Sequence, residues 1–181
     1  SVLTLAGSAA ETVTGLTADL NAASLTGTLS VTTGDANDNT IAITTGSGVT
    51  SISASGNSDV VTVNASALAQ NTLLTLSGSA AETVTGLVGN LAAGSLSGAL
   101  NVTTGDASDN GIAITTGSGA TSITGNGAND TIAVNATLLG NNTALTLAGS
   151  ATEVVTGLIG NINAASLTGA LSVSTGDASD N

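Results

Sequence analysis

The sequence predicts an all-β protein: a right-handed, all-parallel β-solenoid of the β-helix or β-roll kind, built from tandem 71-residue repeats. Three observations carry that expectation. The chain returns on itself at a fixed offset without a gap, its apolar residues fall in doublets separated by one small polar residue, and it contains no aromatic side chain.

The repeat is direct. L-T-L-A-G-S-A-A-E-T-V-T-G-L at Leu3–Leu16 returns at Leu74–Leu87 with one substitution and again at Leu145–Leu158, which differs from the second copy at three positions. T-T-G-D-A-N-D-N at Thr32–Asn39 recurs at Thr103–Asn110 and at Ser174–Asn181. The expected units are residues 1–72, 73–143 and a partial third at 144–181, forming one continuous solenoid with no separate domains. Neither end shows the divergent polar cap that a solenoid needs for solubility, so the chain reads as a window on a longer array.

Within the first unit the apolar clusters are Leu3/Leu5, Val13, Leu29/Val31, Ile41/Ile43, Ile52 and Val61/Val63, before Leu74/Leu76 opens the second. Alternation with a period of two is the pattern of a half-buried strand. Gly34–Asn39, Gly46–Gly48 and Ser55–Asp59 separate the clusters, and Gly and Asn supply the positive φ of tight turns. The wider interval from Val13 to Leu29 holds Leu16, Leu20 and Leu25; it reads as an irregular strand and turn, with a short helical turn as the alternative. A sandwich would need different partners for each identical strand. A solenoid instead is expected to stack each strand on its own counterpart, with a rise of about 15–20 Å per unit.

Composition narrows function. The formal charge is −12 with no Lys, Arg or His to offset it. Nucleic-acid binding, which draws on cationic contacts to phosphate, is therefore excluded from the expectation. No apolar run approaches the ~20 residues of a membrane helix, and no small-molecule substrate is expected. Hydrophobic residues make up 41% of the chain, which argues against disorder despite the one-signed charge. Without His, Cys, Lys or Tyr, the usual bases and nucleophiles are missing. The expectation is a non-enzyme, with a carbohydrate-active β-helix fragment as a remote alternative. A threonine-rich ice-binding face, suggested by Thr12/Thr14, Thr32–Thr33 and Thr44–Thr45, is another.

Almost every acid obeys the repeat. Asp35, Asp106 and Asp177 correspond, as do Asp38, Asp109 and Asp180, and Asp59 matches Asp130. Asp35 and Asp38 share one turn with Asn37 and Asn39, an all-oxygen donor set of the type that suits Ca²⁺. These eight aspartates are the candidate metal ligands, with calcium the candidate cofactor; the competing reading is that they form Asx-turns. Glu11, Glu82 and Glu153 are lone acids beside a strand and are expected to be solvated. Asp19 alone departs from the pattern, being matched by Asn90 and Asn161.

Gly125-Asn126-Gly127-Ala128-Asn129-Asp130-Thr131-Ile132 resembles a degenerate G-G-x-G-x-D-x-aliphatic nonapeptide of the RTX proteins. Gly125 and Asp130 match, Asn126 stands at a glycine position, and Ala128 departs. Leu20–Gly27 is similar in style to giant secreted and surface-layer repeat proteins of bacteria. The resemblance implies Ca²⁺ between turns of a β-roll, export, and a role at the cell surface. The expected function is an extracellular structural rod: a surface-layer component, an extracellular filament or an adhesin stalk. Self-association into a filament or lattice is the expected partnership, and the lack of Lys and Arg removes every trypsin site.

Overall fold

A computed structural model gives the fold for residues 1–34, 40–56, 59–106 and 111–176. The first nine strands are β1 (Val2–Gly7), β2 (Glu11–Leu16), β3 (Asp19–Leu25), β4 (Leu29–Thr33), β5 (Thr40–Thr44), β6 (Thr50–Ala54), β7 (Val60–Asn64), β8 (Leu73–Gly78) and β9 (Ala81–Leu87). They continue as β10 (Asn90–Leu96), β11 (Leu100–Thr104), β12 (Gly111–Thr115), β13 (Thr121–Gly125), β14 (Thr131–Asn135), β15 (Ala144–Gly149), β16 (Thr152–Leu158), β17 (Asn161–Leu167) and β18 (Leu171–Thr175). The Val13–Leu29 interval is spanned by strand β3, so the strand reading holds there; no helix occurs among the described residues.

The odd strands form one nine-stranded sheet in the order β1 to β17, and the even strands form a second in the order β2 to β18. All pairings are parallel, and the chain runs through about eight turns of about 20 residues each, two strands to a turn. The parallel solenoid is as expected, but its structural unit is the 20-residue coil and not the 71-residue repeat. β8, the sequence counterpart of β1, comes seven strands after it, and β15 seven strands after β8. Seven is odd and each turn uses two strands, so β1 and β15 lie in the first sheet and β8 in the second. Strands therefore do not stack on their counterparts. β8 packs between β6 and β10 instead. Each 71-residue unit rises three and a half coils, roughly 17 Å at ~4.8 Å per strand, and places the next unit on the opposite face.

The core is the space between the sheets, filled by the inward member of each alternating pair. One ladder runs Leu29, Thr50, Leu74, Leu91, Ile114, Val134, Val155. The facing sheet supplies Leu20, Ile43, Val63, Val84, Val102, Ile123, Leu147. All fourteen are buried. Each aliphatic side chain so placed contributes roughly 1.5–3 kcal/mol, which is how a core without aromatics accumulates layer by layer. Buried Thr50 fits because its hydroxyl donates to the Gly48 carbonyl at 3.3 Å, and Thr121, its repeat counterpart, does the same to Gly119.

One corner dictates glycine. Gly27 lies over the Ala9 carbonyl and Gly48 lies over the Gly27 carbonyl, so a Cβ on either would collide with backbone of the coil below. Gly98 over Ala80 and Gly119 over Gly98 reproduce this stack on the other side of the rod. Local conformation thus follows the 71-residue period even though the sheet alternates. Positive φ at Gly7, Gly78 and Gly149 (108°, 111° and 101°) shows the same.

Candidate functional site

The acids are the chain's only ionisable side chains, so any charged site must be built from them. Asp130 immediately precedes β14, and its amide donates to the Gly127 carbonyl at 3.1 Å, closing a tight turn. Its side chain is buried, folded back over that turn so that a Cβ on Gly127 would collide with the carboxylate. Asp59 makes the same bond to Gly56 and is buried in the same way before β7. Both aspartates point inward because each stands two residues before an inward aliphatic, Val61 or Ile132.

Of the other predicted metal ligands, Asp106 is exposed just after β11. Asp35, Asp38, Asp109, Asp177 and Asp180 lie outside the described residues. Among the described residues no three acids come together, so at Asp59 and Asp130 a calcium ion, which takes six to eight oxygens, would have to draw mainly on backbone carbonyls and water.

Glu82 and Glu153 overturn the expectation of solvated glutamates. Both are fully buried. Glu82 stands in the inward ladder Ile41, Val61, Glu82, Leu100. Glu153 stands in Ile112, Ile132, Glu153, Leu171 on the other sheet. Neither oxygen of either carboxyl has a hydrogen-bond partner. An added Cβ at Gly125 would lie 3.0 Å from Glu153 Oε1 and 2.7 Å from Ile132 Cδ1, so the carboxyl is wedged into an apolar corner. Burial pushes both groups up from 4.5 to about 8, because no donor or cation compensates the lost hydration. At neutral pH they are mainly carboxylic acids, and a proton is the smallest ligand that neutralises them there.

A signal for this was available. Glu82 and Val84 are two residues apart in one strand, so period-two alternation puts both on the inward face. Glu11, the counterpart in β2, is only half-buried because no coil lies on its outer side in this chain.

Asp19 and Asn90, the one mismatched pair, do equivalent work. Asp19 Oδ1 accepts from the Ala42 amide at 3.0 Å, and Asn90 Oδ1 accepts from the Ala113 amide at 2.9 Å. Only two residue pairs join β3 to β5 and β10 to β12, and the side-chain oxygen caps an amide that the short ladder leaves over. Asn64 and Asn135 make Asx-turns, accepting from the Ser66 and Thr137 amides at 3.1 Å.

The threonine dipeptides straddle the sheet: Thr33 and Thr45 are buried while Thr32 and Thr44 face outward or sideways. The outer columns are mixed, as in Thr62, Thr83, Asn101, Ser122, Thr146. A shallow depression of about 130 Å³ over Asn101, Ser122 and Thr146 is lined by short neutral side chains and holds no ionisable group.

No protein-family model, curated protein or solved structure matches the chain.

Proposed function

We propose that this chain is a structural rod segment of a secreted or surface-exposed bacterial repeat protein, acting as a spacer in a surface layer, a filament or an adhesin stalk. The observation that carries it is the pair of unbroken nine-stranded parallel sheets. Every strand hydrogen-bonds to the next along the axis, so load is shared by backbone ladders, and the length is set by the number of coils. A chain whose few charges are all acidic, without Lys or Arg, suits a trypsin-resistant element outside the cell. Calcium bound at the acidic turns, including Asp106, belongs to this reading through the RTX-like Gly125–Ile132 segment.

Two measurements test it. Chains carrying one, two and three added 71-residue units should lengthen by roughly 17 Å per unit in small-angle scattering, at constant cross-section. Globular growth instead of elongation would sink the rod. A circular-dichroism melt in Ca²⁺ and in chelator addresses the ion. A large gain in melting temperature with Ca²⁺ supports metal-linked folding, and identical melts remove calcium while leaving the rod intact.

A further inference from the structure

Charge is distributed unevenly over the rod. Outward positions of the odd sheet from β5 to β15 are Thr, Asn, Ser, Ala or Val, and those of the even sheet from β4 to β16 are equally neutral. Among the described residues Asp19 is the one acid at an outward strand position, and its carboxylate is engaged by the Ala42 amide. Asp59, Asp106 and Asp130 sit at the corners between strands, and Glu82 and Glu153 are in the core. A rod selected only to stay dispersed gains most from charges spread over its surface. Here two sheet faces are left almost bare of charge, with no Lys to guard them.

The two faces are also built from the same strands of the repeat. Numbering strand types one to seven along the repeat, the odd sheet reads 1-3-5-7-2-4-6-1-3 from β1 to β17. The even sheet reads 2-4-6-1-3-5-7-2-4 from β2 to β18. Both run through one cyclic order, displaced along the axis.

We propose that these neutral faces bind a second copy of this chain side by side, and that the likeness of the two faces carries association past a dimer into an open ribbon or sheet. This deepens the structural-rod reading and rests on it. Nine strands at ~4.8 Å and about five residues at ~3.3 Å give a face of roughly 700 Å². A pair of such faces buries roughly 1,400 Å², inside the ~1,200–2,000 Å² of stable interfaces.

Thr, Ser, Asn and Ala make up most of the outward positions, with Val60, Leu73 and Val154 among them, so two sheets can approach closely, as in a zipper, and the one carboxylate on these faces, Asp19, is already engaged by the Ala42 amide. The chemistry favours a copy over other occupants. A polyanion is repelled by a chain of charge −12. Sugar rings find no aromatic platform, and a cationic partner would be drawn to the corners. Because each rod presents two faces built from the same cyclic order of strands, contact on one side leaves a similar neutral face free on the other, so the assembly does not close.

Sedimentation velocity and negative-stain microscopy of the wild-type chain, from low to high NaCl, test the proposal. Salt screens the acidic corners, so particles should grow heavier and wider as salt and concentration rise. Thr83→Glu with Thr124→Glu charges the odd face; Thr75→Glu with Thr115→Glu charges the even face. Either pair should hold assembly at dimers and both pairs together at monomers, while Val49→Glu, outside the strands, should leave it unchanged. Circular dichroism confirms that each variant keeps its strands. A wild-type chain that stays monomeric at all salts, or that grows only in length at single-rod width, overturns the lateral interface. The scattering series above reads the rod itself independently.

Discussion

Leu3 and Leu74 occupy the same position of the repeat, 71 residues apart, and lie in opposite sheets. Leu3 pairs with Leu20 in the odd sheet, and Leu74 sits between Thr50 and Leu91 in the even one. A repeat of seven strands wound two to a turn can be arranged in no other way. Each feature of the unit, whether a glycine corner, a buried acid or an Asx cap, therefore recurs half a turn round the rod.

Glu82 and Glu153 make stability depend on pH with a sign opposite to ordinary acid denaturation. Their folded-state values, about 8, lie above the ordinary 4.5, so the folded chain binds more protons than the unfolded chain between those limits. Their contribution is fully present below about pH 4.5, declines as pH rises, and is lost by about pH 8. At about 1.4 kcal/mol per unit, each costs on the order of 3 kcal/mol at pH 7. Glu82→Leu combined with Glu153→Leu should raise the melting temperature at pH 7 and flatten its profile between pH 5 and 8. An unchanged pH profile in this double variant would show that the carboxyls are hydrated.

The glycine corner gives a matched pair of substitutions. Gly98→Ala drives a Cβ into the Ala80 carbonyl, while Gly111→Ala finds its nearest neighbour, the Thr131 oxygen, at 3.8 Å. Chemical denaturation should show the first losing about 1–3 kcal/mol and the second nothing measurable. Equal losses would mean that the coils separate freely at the corner.

Asn90→Ala removes the acceptor of the Ala113 amide and should cost about 1 kcal/mol, with faster hydrogen exchange at that amide. Asn90→Asp should be close to neutral, because Asp19 already makes the corresponding bond to Ala42. Slow exchange at Ala113 in the alanine variant would mean that the cap is dispensable.

Leu91→Ala opens a hole between Leu74 and Ile114 in the middle of the even sheet. A loss of about 2–5 kcal/mol is expected. In a linear stack the damage should stay near β8, β10 and β12. Hydrogen exchange should therefore accelerate there while the β14–β16 amides remain protected; uniform acceleration would show that the rod opens as one unit.

The sequence by itself determined the strands, their parallel stacking and the glycine-rich turns between them, while the need for glycine where coils touch, as at Gly27 over Ala9, came from the stacked coils. Doublets such as Leu74/Leu76 declare a face, and a gapless repeat without aromatics leaves a layered core as the economical fold. It also contained the inward direction of Glu82 and Asp59, since each falls two residues from a buried Val. Local chemistry suggested solvated acids because a lone carboxylate prefers water. Only the tertiary structure decided against that, since the coil on either side, Val61 and Leu100, closes water off from Glu82. Whether two or three strands make a turn was left open, because hydrophobic period reports which way a side chain points and says nothing of how far the chain runs before it stacks. Once two strands make a turn, an odd count of seven must alternate sides, and that parity sets every neighbour in the rod.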